Sequence, residues 1–129
     1  MLCQSQEEVG HAMRIFTHIN ERNSKVVLKA IEEPHAEWSS PLNAFEGAFA
    51  HEQKVTSMIN NLVDMVIEEK DHASNILLQW FVAEQIEEEM STDEIIQKLK
   101  LAGESPNALL MLDRELGGRT FSIPASGDE

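Results

Sequence analysis

Apolar residues recur three and four apart over long stretches of this chain, with glycine and proline sparse between them, which is the pattern of amphipathic helices. From Met1 to Arg22, Val9, Ala12, Met13, Phe16 and Ile19 keep to one face, and Asn23 and Ser24 stop the run. Residues 25–41 contain apolar Val26, Val27, Leu28 and Ile31, but Pro34 and Pro41 forbid a continuous helix there. A connection of that length is unusual between neighbouring antiparallel helices. It is long enough to cross from one end of a helical bundle to the other and join two parallel helices. A second helix is expected from Leu42 to Glu69, with Phe45, Phe49, Val55, Ile59, Leu62, Val63 and Val66 as its buried stripe. Asp71 then caps a third, from His72 to Leu101, with Leu77, Phe81, Ile95 and Leu99 on one face and Gly103 at its end. Ser105 and Pro106 open a short fourth helix with Leu109, Leu112 and Leu116 on one side, closed by Gly117 and Gly118. The reading is an all-α protein with one helical domain over 1–118 and a polar, disordered tail from Arg119 to Glu129.

Composition narrows the function classes. A net charge of −13 disfavours nucleic acid and anionic membranes, both of which reward basic surfaces. It suits cations, or simply solubility. No apolar run is long enough to span a bilayer, and the first ten residues lack the zones of a signal peptide. The single cysteine, Cys3, makes no internal disulfide, so a cytoplasmic protein is expected.

The informative residues are acids standing where the helical period demands core. In the second helix Glu52 interrupts the stripe Phe45, Ala48, Phe49, Val55, Ile59. In the third, Glu84, Gln85 and Glu88 fall between Phe81 and Ile95. In the first, Glu8 and His11 are three apart and Glu7 and His11 four apart, so each pair shares a face. Buried carboxylates cost several kcal/mol without partners and repel one another. The chain has only ten basic residues, and none lies among these apolar positions. A metal ion keeps such a cluster ionised, and helical bundles build di-iron sites from inward-facing carboxylates and histidines. Oxygen ligands with one imidazole favour iron over copper or a thiolate-type metal.

A plainer reading stands beside this one, in which the acids are solvated. Glu-x-x-His pairs arise by chance, and the chain has two more, Glu32 to His35 and Glu69 to His72, one broken by Pro34 and the other at a turn. His51-Glu52 opens a zinc-protease-like string, but Thr56 occupies the place of its second histidine, so that reading fails.

Four strings together carry a family resemblance. Gln4-Ser5-Gln6-Glu7-Glu8-Val9-Gly10-His11-Ala12-Met13 resembles the second long helix of bacterial non-haem ferritins, and His51-Glu52-Gln53 the metal-binding step of their third. Leu78-Gln79-Trp80-Phe81-Val82 with Glu84-Gln85-Ile86-Glu87-Glu88-Glu89 resembles their fourth helix, and Leu112-Asp113-Arg114-Glu115-Leu116 their short fifth. The resemblance implies a ferritin-like up-down-down-up four-helix bundle with a long crossover and a short C-terminal helix. Carried over, Glu8 bridges two irons, His11 binds the first, Glu52 and Glu88 bind the second, and Gln85 sits beside them. Glu7, Glu84, Glu87 and Glu88 match a third iron site of some bacterial members. The implied activity is ferroxidase chemistry: ferrous iron is oxidised by oxygen or peroxide and ferric iron passes to a mineral inside a homo-oligomeric shell of about two dozen subunits. Relatives with a second Glu-x-x-His match less well, since the third helix offers Gln85 and Glu88 instead. No methionine is singled out as a haem ligand.

The family's first helix, which brings one more glutamate and usually a tyrosine, has no counterpart, and the chain contains no tyrosine. The expectation is therefore a bundle missing its N-terminal helix, with impaired oxidation or another chain covering the open face. Two alternatives remain: a non-catalytic helical interaction module, and a degenerate fragment that binds iron without turning it over.

Overall fold

A computed structural model describes residues 2–118, and within them the chain forms four helices and no strand. These are α1 (Leu2–Glu21), α2 (Pro41–Glu68), α3 (His72–Ala102) and α4 (Pro106–Gly117). Each lies within a residue or two of its expected bounds. The expectation of a disordered tail over 119–129 falls outside the described residues. No helix among those described is long and apolar enough to cross a membrane. The chain divides into two compact units. One includes the residues through Glu33 and the end of α4 from Asp113, and the other is Pro34–Leu112.

In the first unit, α1 ends as its sequence requires. Asn23 takes a left-handed backbone, φ 56°, which asparagine tolerates better than most residues. Ser24 N–H then reaches the Ile19 carbonyl at 3.0 Å and Asn23 N–H the Asn20 carbonyl at 2.9 Å. This paired closure satisfies carbonyls that the helix end leaves open. Residues 24–38 carry no helix, as the prolines dictate.

The second unit is built on an antiparallel pair, α2 and α3. Ser40 caps α2, its Oγ accepting from Asn43 N–H at 3.0 Å with Pro41 beginning the first turn. At the far end Lys70 adopts φ 58°, and Lys70 and Asp71 N–H groups return to the Ile67 and Val66 carbonyls. Asp71 immediately caps α3 through Ser74 N–H at 3.2 Å and Ser74 Oγ at 2.6 Å. One helix terminator and one helix initiator thus share adjacent residues, and the chain reverses within three positions.

The core of this unit is Ile59 from α2, Leu78, Phe81, Ile95, Ile96 and Leu99 from α3, and Leu112 from α4. Each such side chain contributes about 1.5–3 kcal/mol through burial. Two expected core positions differ. Leu78 is buried while Leu77, one step round the helix, is half-buried, and Leu62 is 44% exposed. A helix buries only the strip that meets its partner, so Leu62, with Met58 and Met65 on the same flank, stays outside the α2–α3 seam. Periodicity finds an apolar face but not which part of it touches.

Gly47 explains how the end of the connection is pinned to α2. A Cβ built there would lie 2.5 and 2.6 Å from atoms of the Trp38 indole, so the ring occupies the space that a side chain would need. The same indole meets His35 edge-on, centroids 4.8 Å apart. Gly47→Ala gains about 1 kcal/mol of helix propensity but must expel Trp38. In a Trp80→Phe background, which leaves Trp38 as the sole tryptophan, the expected result is a red-shifted Trp38 emission with little change in melting temperature.

Candidate metal centre

The fourth turn of α2 places Glu52 inward, and Glu52 is one of the least accessible residues described, with 6% of its surface exposed. It faces Gln85 of α3, which is 5% exposed. Gln85 Nε2 donates to Glu52 Oε2 at 3.3 Å and to the Glu52 backbone carbonyl at 3.2 Å. It also reaches Thr56 Oγ1 at 3.3 Å, while the Thr56 hydroxyl donates to Glu89 Oε1 at 2.5 Å. Thr56 follows Glu52 by four residues and Glu89 follows Gln85 by four, so two matched steps of helix bring four polar side chains to one stretch of the seam. The strip of groove beside them, of about 330 Å³, is lined by Thr56, Ile59, Asn60, Val82, Gln85, Ile86 and Glu89.

No lysine or arginine among the described residues pairs with Glu52. A carboxylate inside an apolar seam, met by a single neutral amide, is short of positive charge. On the other side of Gln85 from Glu89, α3 presents Glu84 and Glu88. Both are half-buried, and each offers a carboxylate oxygen within 4.8 Å of the other's. Two carboxylates so close repel unless a proton or cation lies between them. Glu87, on the same helix, is exposed.

In the first unit, α1 brings Glu8 and His11 together at 3.4 Å, carboxylate to Nδ1. The His11 side chain is 14% exposed and that of Glu8 is 54%. The contact sets a carboxylate oxygen beside an imidazole nitrogen, so the pair offers an oxygen and a nitrogen ligand from one face of α1. Glu7 is half-buried and its Oε1 accepts from Cys3 Sγ at 3.6 Å.

Within each unit the structure brings together Glu8 with His11, Glu52 with Gln85, and Glu84 with Glu88. His51, the start of the discarded protease string, is exposed. Sequence reasoning missed Thr56 and Glu89. The available signal was their spacing, each one turn beyond a residue already singled out.

Comparison with known proteins gives this set of groups a family. The chain matches the Ferritin-like domain over residues 1–102. It is 41% identical over 111 residues to a probable bacterial non-heme ferritin-like protein of Haemophilus influenzae, covering 86% of this chain and 67% of that protein. It is 38% identical over 114 residues to the bacterial non-heme ferritin of Campylobacter jejuni, covering 88% and 68%. Among solved structures, an engineered closed form of the Archaeoglobus fulgidus ferritin superposes with a TM-score of 0.91 at 52% identity, over 93% of this chain and 73% of that one. The open-pore ferritin of the same archaeon gives 0.88 at 52% identity, over 89% and 71%. The chain belongs to the ferritin family, and its all-α fold is of the four-helix-bundle class.

The Glu52–Gln85 contact has a measurable cost of disruption. Gln85→Leu leaves a buried carboxylate and a carbonyl without their donor, which costs about 2 kcal/mol. The double variant Glu52→Leu/Gln85→Leu removes both partners and recovers most of that loss. Urea unfolding followed by circular dichroism should place the double variant's midpoint above that of Gln85→Leu. A midpoint for Gln85→Leu equal to that of the parent would show that the contact contributes nothing.

Proposed function

We propose that this chain is an iron-storage subunit that takes up ferrous iron at a di-iron carboxylate site and oxidises it for deposition as ferric mineral. The observation that carries the reading is Glu52, a carboxylate buried in an apolar seam whose partner among the described residues is a glutamine amide. A divalent cation supplies the charge that this arrangement lacks, and hard oxygen ligands suit ferrous iron. Membership of the ferritin family supports the same conclusion, as do relatives described as non-heme ferritins.

In this reading Glu8 bridges two ferrous ions and His11 completes the protein's hold on the first. Glu52 and Glu88 bind the second, with Gln85 beside it. Glu7, Glu84 and Glu87, with Glu88, receive a further iron. Each ferrous ion gives up one electron, and oxygen or peroxide accepts them in pairs, so two ions held side by side suit the stoichiometry. Glu8 and His11 lie close enough to serve one ion together, and Gln85 keeps one oxygen of Glu52 engaged. Release of ferric iron to a mineral calls for an enclosed volume, which a symmetric shell of many copies provides. The proposed setting is the cytoplasm, in keeping with the lone cysteine.

The test is titration of the 129-residue chain with ferrous iron, first without oxygen to read binding and then with oxygen to read ferric absorption in the near ultraviolet. Glu52→Ala should remove saturable binding at the second position. His11→Ala should spare that position while slowing paired oxidation by roughly 100-fold, as loss of a ligand or its support does in other metal sites. A chain that binds no iron would favour a purely structural helical module. Oxidation that proceeds at the parental rate after Glu52→Ala would place the site elsewhere.

A further inference from the structure

The polar run across the α2–α3 seam extends beyond the residues that would touch iron. We propose that Thr56 and Glu89 are positioning residues which, acting through Gln85, present Glu52 to the cation with one carboxylate oxygen engaged and the other free. This inference rests on the reading of Glu52 as an iron ligand.

The Thr56 hydroxyl has one proton, and it goes to Glu89 Oε1 at 2.5 Å. Its remaining capacity is as an acceptor. The contact between Thr56 Oγ1 and Gln85 at 3.3 Å must therefore come from the amide nitrogen, not the amide oxygen. The Glu52 carbonyl, also an acceptor only, demands the same orientation at 3.2 Å. With the amide fixed this way, its nitrogen faces Glu52 Oε2 at 3.3 Å. Glu52 Oε1 accepts no hydrogen bond from any described residue. A carboxylate with one oxygen tied to an amide and the other open is prepared for binding a cation through a single oxygen.

Glu89 has a different task from its neighbours Glu84 and Glu88. It lies on the opposite side of Gln85 from them and spends Oε1 on Thr56 rather than facing the paired acids. Without the Thr56 hydroxyl the amide loses one of three acceptors, and Gln85 is held to Glu52 alone. Thr56→Val removes that hydroxyl at nearly constant shape, while Thr56→Ser keeps it.

The experiment uses the 129-residue chain and cobalt(II) as the probe, whose visible d–d bands report ligand geometry. Thr56→Val should weaken cobalt binding roughly 10-fold and alter the bands, the size of effect expected when a supporting partner of a ligand is lost. Thr56→Ser should restore both, measured well below the melting temperature of each variant. A Thr56→Val chain with a lowered melting temperature but parental bands and affinity would overturn the proposal and leave Thr56 a packing residue. Glu52→Ala is the separating control. If it leaves cobalt binding intact, the iron-site reading itself has failed. If it abolishes binding while Thr56→Val does not weaken it, only the positioning role has failed.

Discussion

The arrangement of the second unit turns on one constraint: a charged carboxylate, Glu52, is held inside the seam between two helices. Hydrophobic contacts alone would let α2 and α3 slide in steps of a turn, because Ile, Leu and Phe side chains are interchangeable as apolar surface. Glu52 and Gln85 remove that freedom. Any register that separates them strands a buried carboxylate and a buried amide, each at a cost comparable with the burial of a leucine. The turn at Lys70 and Asp71 sets the same register from the other end, since it allows only a few positions of slack before α3 begins. The tight turn and the polar contact are independent devices that agree, as expected of a sequence that specifies one structure.

Such an interior carboxylate is a poor way to stabilise a protein. An apolar pair of similar shape would hold the helices together at least as well. The cation proposed for Glu52 accounts for its place better than stability does. Glu84 with Glu88, and Glu8 with His11, show the same economy: groups that repel or need orienting sit within one or two turns of a helix, so local backbone geometry does the arranging.

Most of the helical framework was legible in the sequence because helix signals are local. Asp71, Gly103, Ser105 and Pro106 act within a few residues of themselves, and the ends they mark lie where capping chemistry puts them. The unusual burial of Glu52 was legible as well, because an acid interrupting an apolar stripe stands out against its period. Other features were not. Leu62 and Leu77 are apolar and correctly spaced, yet contact depends on how the partner helix is rotated, which no single helix encodes. The Trp38–Gly47 contact joins a nonhelical segment to a helix and leaves no periodic trace. Thr56 and Glu89 belong to different helices, and each alone reads as an ordinary polar residue. Only the register brought them to hydrogen-bonding distance.

The reversal at Lys70 and Asp71 also has a bearing on the order in which the protein folds. Because α2 and α3 are joined by so short a link, their mutual contacts close small loops, and small loops form fastest. The pair can zip from the turn outward, joining Ile59 to its α3 neighbours before reaching Glu52 and Gln85 further along. The polar contact then forms midway, with Ile95, Ile96 and Leu99 still to close beyond it. A chain that folds in this sequence sets Glu52 and Gln85 in register at the middle of the seam, and the apolar far end then closes over them.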